Sequence, residues 1–332
     1  MKIAVLLKKE ESAVSYYRST GPIAALCRAT GWQFLPIKPD EFTADSCHAY
    51  DILFAHRPVF YAEVAAIWTA KEHGVKVVVD LDDCLWKIPV SNTAHNSFGK
   101  GASDNLALAM QNADAITTST DALKREIKIE YGRESLVIPN AYNDRLPILP
   151  FDTKEGPIKM VYRGSNTHHG DLYTHRGAFK SYSNIELTFI GDMPWFLFQD
   201  YGGWLTRIFH EPWTSLSLYF RRIRSMNPHF FIFPLENNEF NRCKSNIAAI
   251  EATQAGAICI APSYMPEFQK FPCIHYDNQE NLIETLDLIN TDPEKTYMPD
   301  LHKRAVKYIE TNLKISQVNN LRKELFETLK NS

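Results

Sequence analysis

Short apolar runs of strand length alternate with longer helical patterns through most of this chain, and that alternation restricts the fold more than any other feature. KIAVLL, WQFLPI, DILFAH, VKVVVDLD, AITTS and SLVIPN come first, with helical patterns such as GPIAALCRATG and YAEVAAIWTAKEHG between them. Strands that read as nearly continuous apolar runs are buried on both faces, so the pattern predicts βαβ units, a parallel sheet and helices on each side of it. The Pro-rich segment RLPILPFDTKEGP breaks the rhythm, and IKMVYRGS, IELTFIG, HFFIFPL, AICIAP and CIHYD then resume it. Two similar α/β domains joined by a hinge follow, with boundaries expected at 1–150 and 151–305. The amphipathic tail from Leu301 to Ser332 is expected to be helical, and its 306–332 part to pack back on the first domain.

The 332 residues include 45% hydrophobic side chains, enough for two cores. No apolar run reaches the roughly 18 residues of a membrane span, and the apolar start of MKIAVLLKKEES is too short for a secretory signal. The six cysteines form no CxxC pair, so they read as reduced, buried thiols in a cytoplasmic protein, and metal binding through cysteine is not expected. Net charge is −3, with 16 basic and 18 acidic residues before the Pro150 split and 20 and 21 after it. That balance disfavours a protein that binds by neutralising DNA phosphates. FRRIR and LKREIK read as solvated helix faces, and the aromatic-rich 192–219 segment as core plus apolar surface, with a ligand-stacking platform as the alternative.

Ligands of parallel α/β sheets bind beyond the carboxyl ends of strands, so the loops there carry the candidates. After the first strand, SAVSYYRSTGP lacks the glycine fingerprint of dinucleotide folds and offers Tyr17 and Arg18 to the cleft, Arg18 as a clamp for a phosphate or carboxylate. In VVVDLDDCLWKIP, Asp80, Asp82 and Asp83 crowd the end of an apolar strand. They suit a divalent cation, an acceptor hydroxyl or loop capping. His95 lies in a polar loop able to fold over them. In the second half, Arg163, Gly164 and Ser165 follow a strand and suit a phosphate by charge, close backbone approach and hydroxyl.

The stretch FNRCKSNIAAIEATQAG reads as one helix that starts near Lys244, is capped by Ser245 or Asn241 and stops at a glycine. Its start attracts anions through free amides and the helix dipole, with Asn246 in the same turn. Glu251 sits two turns on, amid small and apolar neighbours that would bury it, and an unpaired carboxylate there would be costly. A diphosphate at the lysine end and a ribose diol at the glutamate end match that length.

Taken together, these residues resemble the GT-B glycosyltransferases, in particular glycosyltransferase family 4 and compact bacterial and phage-type members. The resemblance is carried by ADAITTSTDALKREI with LVIPNAYN, by VYRGSNTHHGDL, and by PLENNEFNRCKSNIAAIEATQAGAICIAP, in order over most of the chain. It implies two Rossmann-like domains facing across a cleft, the second holding a nucleoside diphosphate sugar, the first an acceptor. By position, Glu251 matches the second glutamate of the family's Glu-x7-Glu motif, which meets the ribose. Arg163 and Lys244 match the basic pair at the diphosphate, and Ser245 and Asn246 fall in the donor-binding turn. Cys243 stands where the first glutamate is expected, so Glu236 or Glu239 is the candidate replacement.

The implied activity is sugar transfer to an acceptor hydroxyl, retaining as is usual for family 4, with no metal or other cofactor. A glycan or glycolipid, with peripheral contact at the inner membrane face, is the expected acceptor. A hydroxymethylpyrimidine in phage DNA and a non-catalytic nucleotide-sugar binding module are the alternatives.

Overall fold

The computed structural model describes residues 1–7, 15–152, 156–201, 207–292 and 297–332. The Ser12–Val14 part of the first candidate loop, part of the hinge and Trp204 lie outside them.

The first half forms a six-stranded sheet of β1 (Lys2–Leu6), β2 (Gln33–Ile37), β3 (Ile52–His56), β4 (Lys76–Leu81), β5 (Ala115–Thr118) and β6 (Leu136–Val137), in the order β2-β1-β3-β4-β5-β6. Its helices are α1 (Gly21–Thr30), α2 (Ala44–Cys47), α3 (Tyr61–Glu72), α4 (Lys100–Asn112) and α5 (Asp121–Tyr131). All its pairings are parallel. Alternate residues of the strands face opposite layers, as the two-residue period requires. Ala4, Leu53, Val77 and Val79 join a core under α3, α4 and α5, while Ile3, Ile52, Phe54 and Val78 join one under α1.

The second sheet holds β7 (Ile158–Gly164), β8 (Ile185–Gly191), β9 (Ile208–Glu211), β10 (Phe230–Ile232), β11 (Ile258–Pro262) and β12 (Ile274–Tyr276), in the order β12-β11-β10-β7-β8-β9. It too is parallel throughout. The sequence pattern did not reveal β9, which lies in the aromatic stretch. Its helices are α6 (His169–Thr174), α7 (Phe196–Tyr201), α8 (Leu216–Met226), α9 (Glu239–Arg242), α10 (Ile247–Gln254), α11 (Pro266–Gln269) and α12 (Gln279–Thr291). In both sheets the chain reverses direction beside the first strand of its half, between β1 and β3 and between β7 and β10. Such switch points open a crevice for ligands.

The tail is two helices, α13 (Tyr297–Asn312) and α14 (Ile315–Asn331). Residue 306 falls inside α13, whose Ala305 and Ile309 still pack in the second core. The crossing comes at Leu313 to Ile315, where the Tyr142 amide donates to the Leu313 carbonyl at 2.9 Å and the Ile315 amide to the Tyr142 carbonyl at 3.1 Å. Phe326 of α14 is fully buried edge-on to Phe54, with centroids 6.4 Å apart. Burying a ring of that size contributes about 1.5–3 kcal/mol, which ties the end of the chain to the first domain. No helix among the described residues is long and apolar enough to cross a membrane.

Candidate active site

The cavity of about 390 Å³ between the two sheets is lined by both domains: Tyr17, Arg57, Asp82, Asp83 and Asn140 from the first, Arg163, His168, Trp213, Tyr219, Phe233, Lys244, Ser245 and Glu251 from the second. Most of these groups lie at the carboxyl ends of strands or near helix starts, while Glu251 projects from the middle of α10. Charges inside it are paired rather than scattered.

Glu251 is 5% exposed. One carboxylate oxygen accepts the Tyr17 hydroxyl at 2.6 Å, and the other accepts Arg163 Nε at 2.8 Å and the Tyr219 hydroxyl at 3.0 Å. The cost expected for a buried carboxylate is therefore met by three donors, one of them from the opposite domain. Burial opposes the charge on Arg163, and Glu251 outweighs it, so the guanidinium stays protonated. Burial and the same carboxylate push both tyrosine hydroxyls well above their ordinary range, so both stay hydrogen-bond donors.

On the facing wall, Arg57 bridges Asp82 and Asp83, and Lys244 Nζ reaches Asp83 at 3.4 Å from the second domain. Asp82 also meets His56 Nε2 at 2.9 Å. Burial raises the Asp82 carboxyl, but Arg57 and then His56 overcome this and hold it well below the usual carboxylate range. Arg57 has φ +49°, a left-handed conformation uncommon for a residue with a side chain, imposed where β3 ends. His168 Nδ1 pairs with Asp171 at 2.8 Å, yet burial first, with help from Lys244 and Arg163, lowers its pKa and keeps the ring neutral near pH 7.

FNRCKSNIAAIEATQAG forms two helices, not one. Asn238 caps α9, accepting the Asn241 amide at 2.8 Å, and the chain breaks over Cys243 to Asn246 before α10. Lys244 consequently lies off the helix that carries Glu251, though both line the cavity. Neither expected cap serves α10: Ser245 accepts the Asn140 amide at 2.7 Å, Asn241 donates to Asp171 at 2.6 Å, and Asn246 occupies the cap position with its side chain turned to the Glu267 carbonyl at 3.4 Å instead of the helix amides. The start of α10 thus meets the cavity at Ile247 with no side chain over its amides.

Other expectations change more. Arg18 does not reach the cavity. It is fully buried and spends both sides of its fork on Asp80, at 2.7 and 3.0 Å, with the Ile138 carbonyl at 2.7 Å. Asp80 is accordingly its structural partner, completed by the Thr117 hydroxyl at 2.6 Å. His95 is exposed and holds the Ile88 carbonyl at 2.7 Å, away from the cavity wall. Gly164 is buried, and a Cβ there would lie 2.2 Å from the Tyr162 hydroxyl, so packing demands the glycine. Ser165 pairs with Thr167 at 2.6 Å, and neither it nor Gly164 lines the cavity.

Cys243 sits in the first domain's core, its backbone carbonyl accepting the Thr120 hydroxyl at 2.9 Å. Glu236 accepts Ser91 at 2.8 Å and Glu239 pairs with Lys87 at 2.8 Å, and neither lines the cavity. The carboxylates that do line it besides Glu251 are Asp82 and Asp83. Arg57, Asn140, His168, Trp213 and Tyr219 escaped the sequence reading as ligand-facing residues. Arg57 carried the same signal as the aspartates, a position just beyond a strand, and Asn140 and His168 stood inside the motifs quoted above.

No protein-family model and no curated protein matches the chain. Its structure is similar to that of HepE of Anabaena, solved in complex with UDP-glucose, with a TM-score of 0.71 at 13% identity over 99% of this chain and 100% of that one. A glycosyltransferase from Rickettsia africae gives 0.67 at 13% identity, covering 99% and 98%. T4 phage BGT in complex with its UDP-glucose substrate gives 0.60 at 12% identity, covering 98% and 99%. With parallel six-stranded sheets on either side of a shared cavity and a last helix crossing back, the chain has the GT-B fold of these glycosyltransferases.

Proposed function

We propose that this protein is a glycosyltransferase that moves a sugar from a nucleoside diphosphate sugar to an acceptor hydroxyl. The observation that carries the reading is the convergence of Arg163, Lys244, Glu251 and the start of α10 on one interdomain cavity. Sugar transfer builds positive charge on the ring and negative charge on the departing diphosphate. Fixed cations and helix-end amides at that diphosphate lower the barrier, without calling on a metal. Glu251 receives the ribose diol in place of the Tyr17 and Tyr219 hydroxyls. Arg163, pinned through Nε, presents its terminal nitrogens to the phosphates.

Asp82 and Asp83, on the first domain's wall, receive the acceptor hydroxyl. A carboxylate held as far down as Asp82 is a poor base. The departing phosphate oxygen takes the acceptor's proton instead, on the face from which the sugar leaves, and the anomeric configuration is retained. Acceptors with a glycan or glycolipid hydroxyl fit this reading.

The test is incubation with a panel of nucleoside diphosphate sugars, following thermal stabilisation, slow donor hydrolysis and the anomer formed, by NMR. One donor should stabilise the protein, and Lys244→Ala should weaken the response. A panel without any response counts against the donor site, and an inverted product against the proton route.

A further inference from the structure

We propose that Cys47, His48 and His73 form a binding site for a borderline-soft divalent cation of the zinc class, at the end of the first domain remote from the cleft. One ligand atom from each residue lies within 4.8 Å of the other two, and no other such group occurs among the described residues. Cys47 closes the short helix α2, His48 is its cap residue, and His73 is the cap residue of α3. Since α3 leads into the start of β4, this cluster lies at the opposite end of the sheet from Asp82.

Cys47 is fully buried at the edge of the first domain's core, and the two imidazoles lie beside it nearer the surface. His73 Nδ1 lies 2.9 Å from the Thr69 carbonyl, which can only accept, so that nitrogen is the donor and Nε2 is the one left to face an ion. A backbone carbonyl on the far nitrogen is how ligating imidazoles are commonly oriented. The His48 and His73 rings meet edge to face with centroids 5.5 Å apart, His48 being exposed and free to turn. The twelve-residue helix α3 presents its carboxyl end here, where carbonyl dipoles favour a cation.

A tetrahedral ion with bonds of about 2.0–2.3 Å sets its ligands about 3.5 Å apart, so closure asks for roughly an ångström of side-chain movement. The Cys47 thiol, now 2.9 Å from the Ala44 carbonyl, would give up its proton to solvent as the sulfur–metal bond forms. Water fills the fourth position. The ligands come from two helix ends far apart in sequence, which is why cysteine spacing gave no sign of the site.

The experiment uses the full chain, reduced and freed of metal, titrated with cobalt(II) as spectroscopic probe and with zinc(II) in thermal melts. Expected are one cobalt per chain, visible bands of tetrahedral intensity, a thiolate-to-cobalt band in the near ultraviolet, and a melting temperature raised by zinc. His48→Ala, an exposed change that spares the core, should weaken binding by more than the roughly tenfold to hundredfold that losing an outer partner of a metal ligand costs. Cys47→Ser should abolish the ultraviolet band. Binding without that band, binding unchanged in His48→Ala, or no stoichiometric binding would each overturn the proposal. Because the site is remote from the cleft, donor binding should be the same in His48→Ala and the unaltered protein.

Discussion

Replacing Glu251 by Gln removes a negative charge from the centre of the cavity while keeping the side chain's size. That carboxylate satisfies Tyr17, Tyr219 and Arg163, and its side chain is 4% exposed. A hydrogen bond to a charged group contributes about 1.5–3 kcal/mol and a neutral one about 0.5–1.5, so each ribose hydroxyl loses roughly 1–1.5 kcal/mol. Two hydroxyls lose about 2–3 kcal/mol, which is roughly a 30- to 150-fold rise in donor Kd. Stability falls as well, since Arg163 loses its counter-charge in a partly buried place.

Calorimetric titration separates the two effects. Pyrophosphate has no ribose, so its affinity should stay within a few-fold of the unaltered protein, while that of the nucleoside diphosphate drops. If nucleoside diphosphate affinity is unchanged in the folded variant, Glu251 does not hold the ribose. If pyrophosphate falls equally, the variant has disturbed Arg163 instead.

Arg18→Ala breaks a pair whose side chains are 1% and 2% exposed, and should destabilise by about 3–5 kcal/mol in denaturant unfolding, with donor affinity of the folded protein intact. Gly191 has φ +106°, and a Cβ there would lie 2.4 Å from the Gly164 carbonyl and 2.5 Å from the Trp213 ring. Gly191→Ala should therefore cost at least about 1 kcal/mol and, by pushing Trp213 from the cavity wall, raise KM more than it lowers kcat. Burial lowers the pKa of His168, His169, His175, His229 and His302, so these rings fold neutral and the unfolded chain binds more protons below the ordinary histidine value of about 6.5. Their contribution is complete above that pH and is lost as pH falls through the lowered values. Unfolding free energy measured from pH 8 down to 5 should decline, whereas a flat profile would show these rings to be solvated.

The inner strands of both sheets were legible because burial on two faces makes them apolar nearly throughout, whereas the edge strand β2 is largely exposed and was legible from its apolar residues alone. The short strand Ile208–Glu211 was not legible, because it lies at the sheet's edge with Phe209 and His210 exposed. Asp82 and Asp83 just beyond β4, Arg163 near the end of β7 and Lys244 ahead of α10 all line the cavity. Position along the chain could not tell that Arg18 turns inward, since its partner Asp80 is adjacent only through the β1-β3-β4 order. Cys243 was visible as an oddity, but its place in the first domain's core depends on how the domains meet.

A structure with the nucleoside diphosphate bound tests the central claim most directly. The diphosphate is expected at Lys244 and the start of α10, with the ribose hydroxyls on Glu251 and the Tyr17 hydroxyl displaced from it. A nucleotide bound elsewhere, with the Tyr17 to Glu251 bond still in place, would contradict that claim.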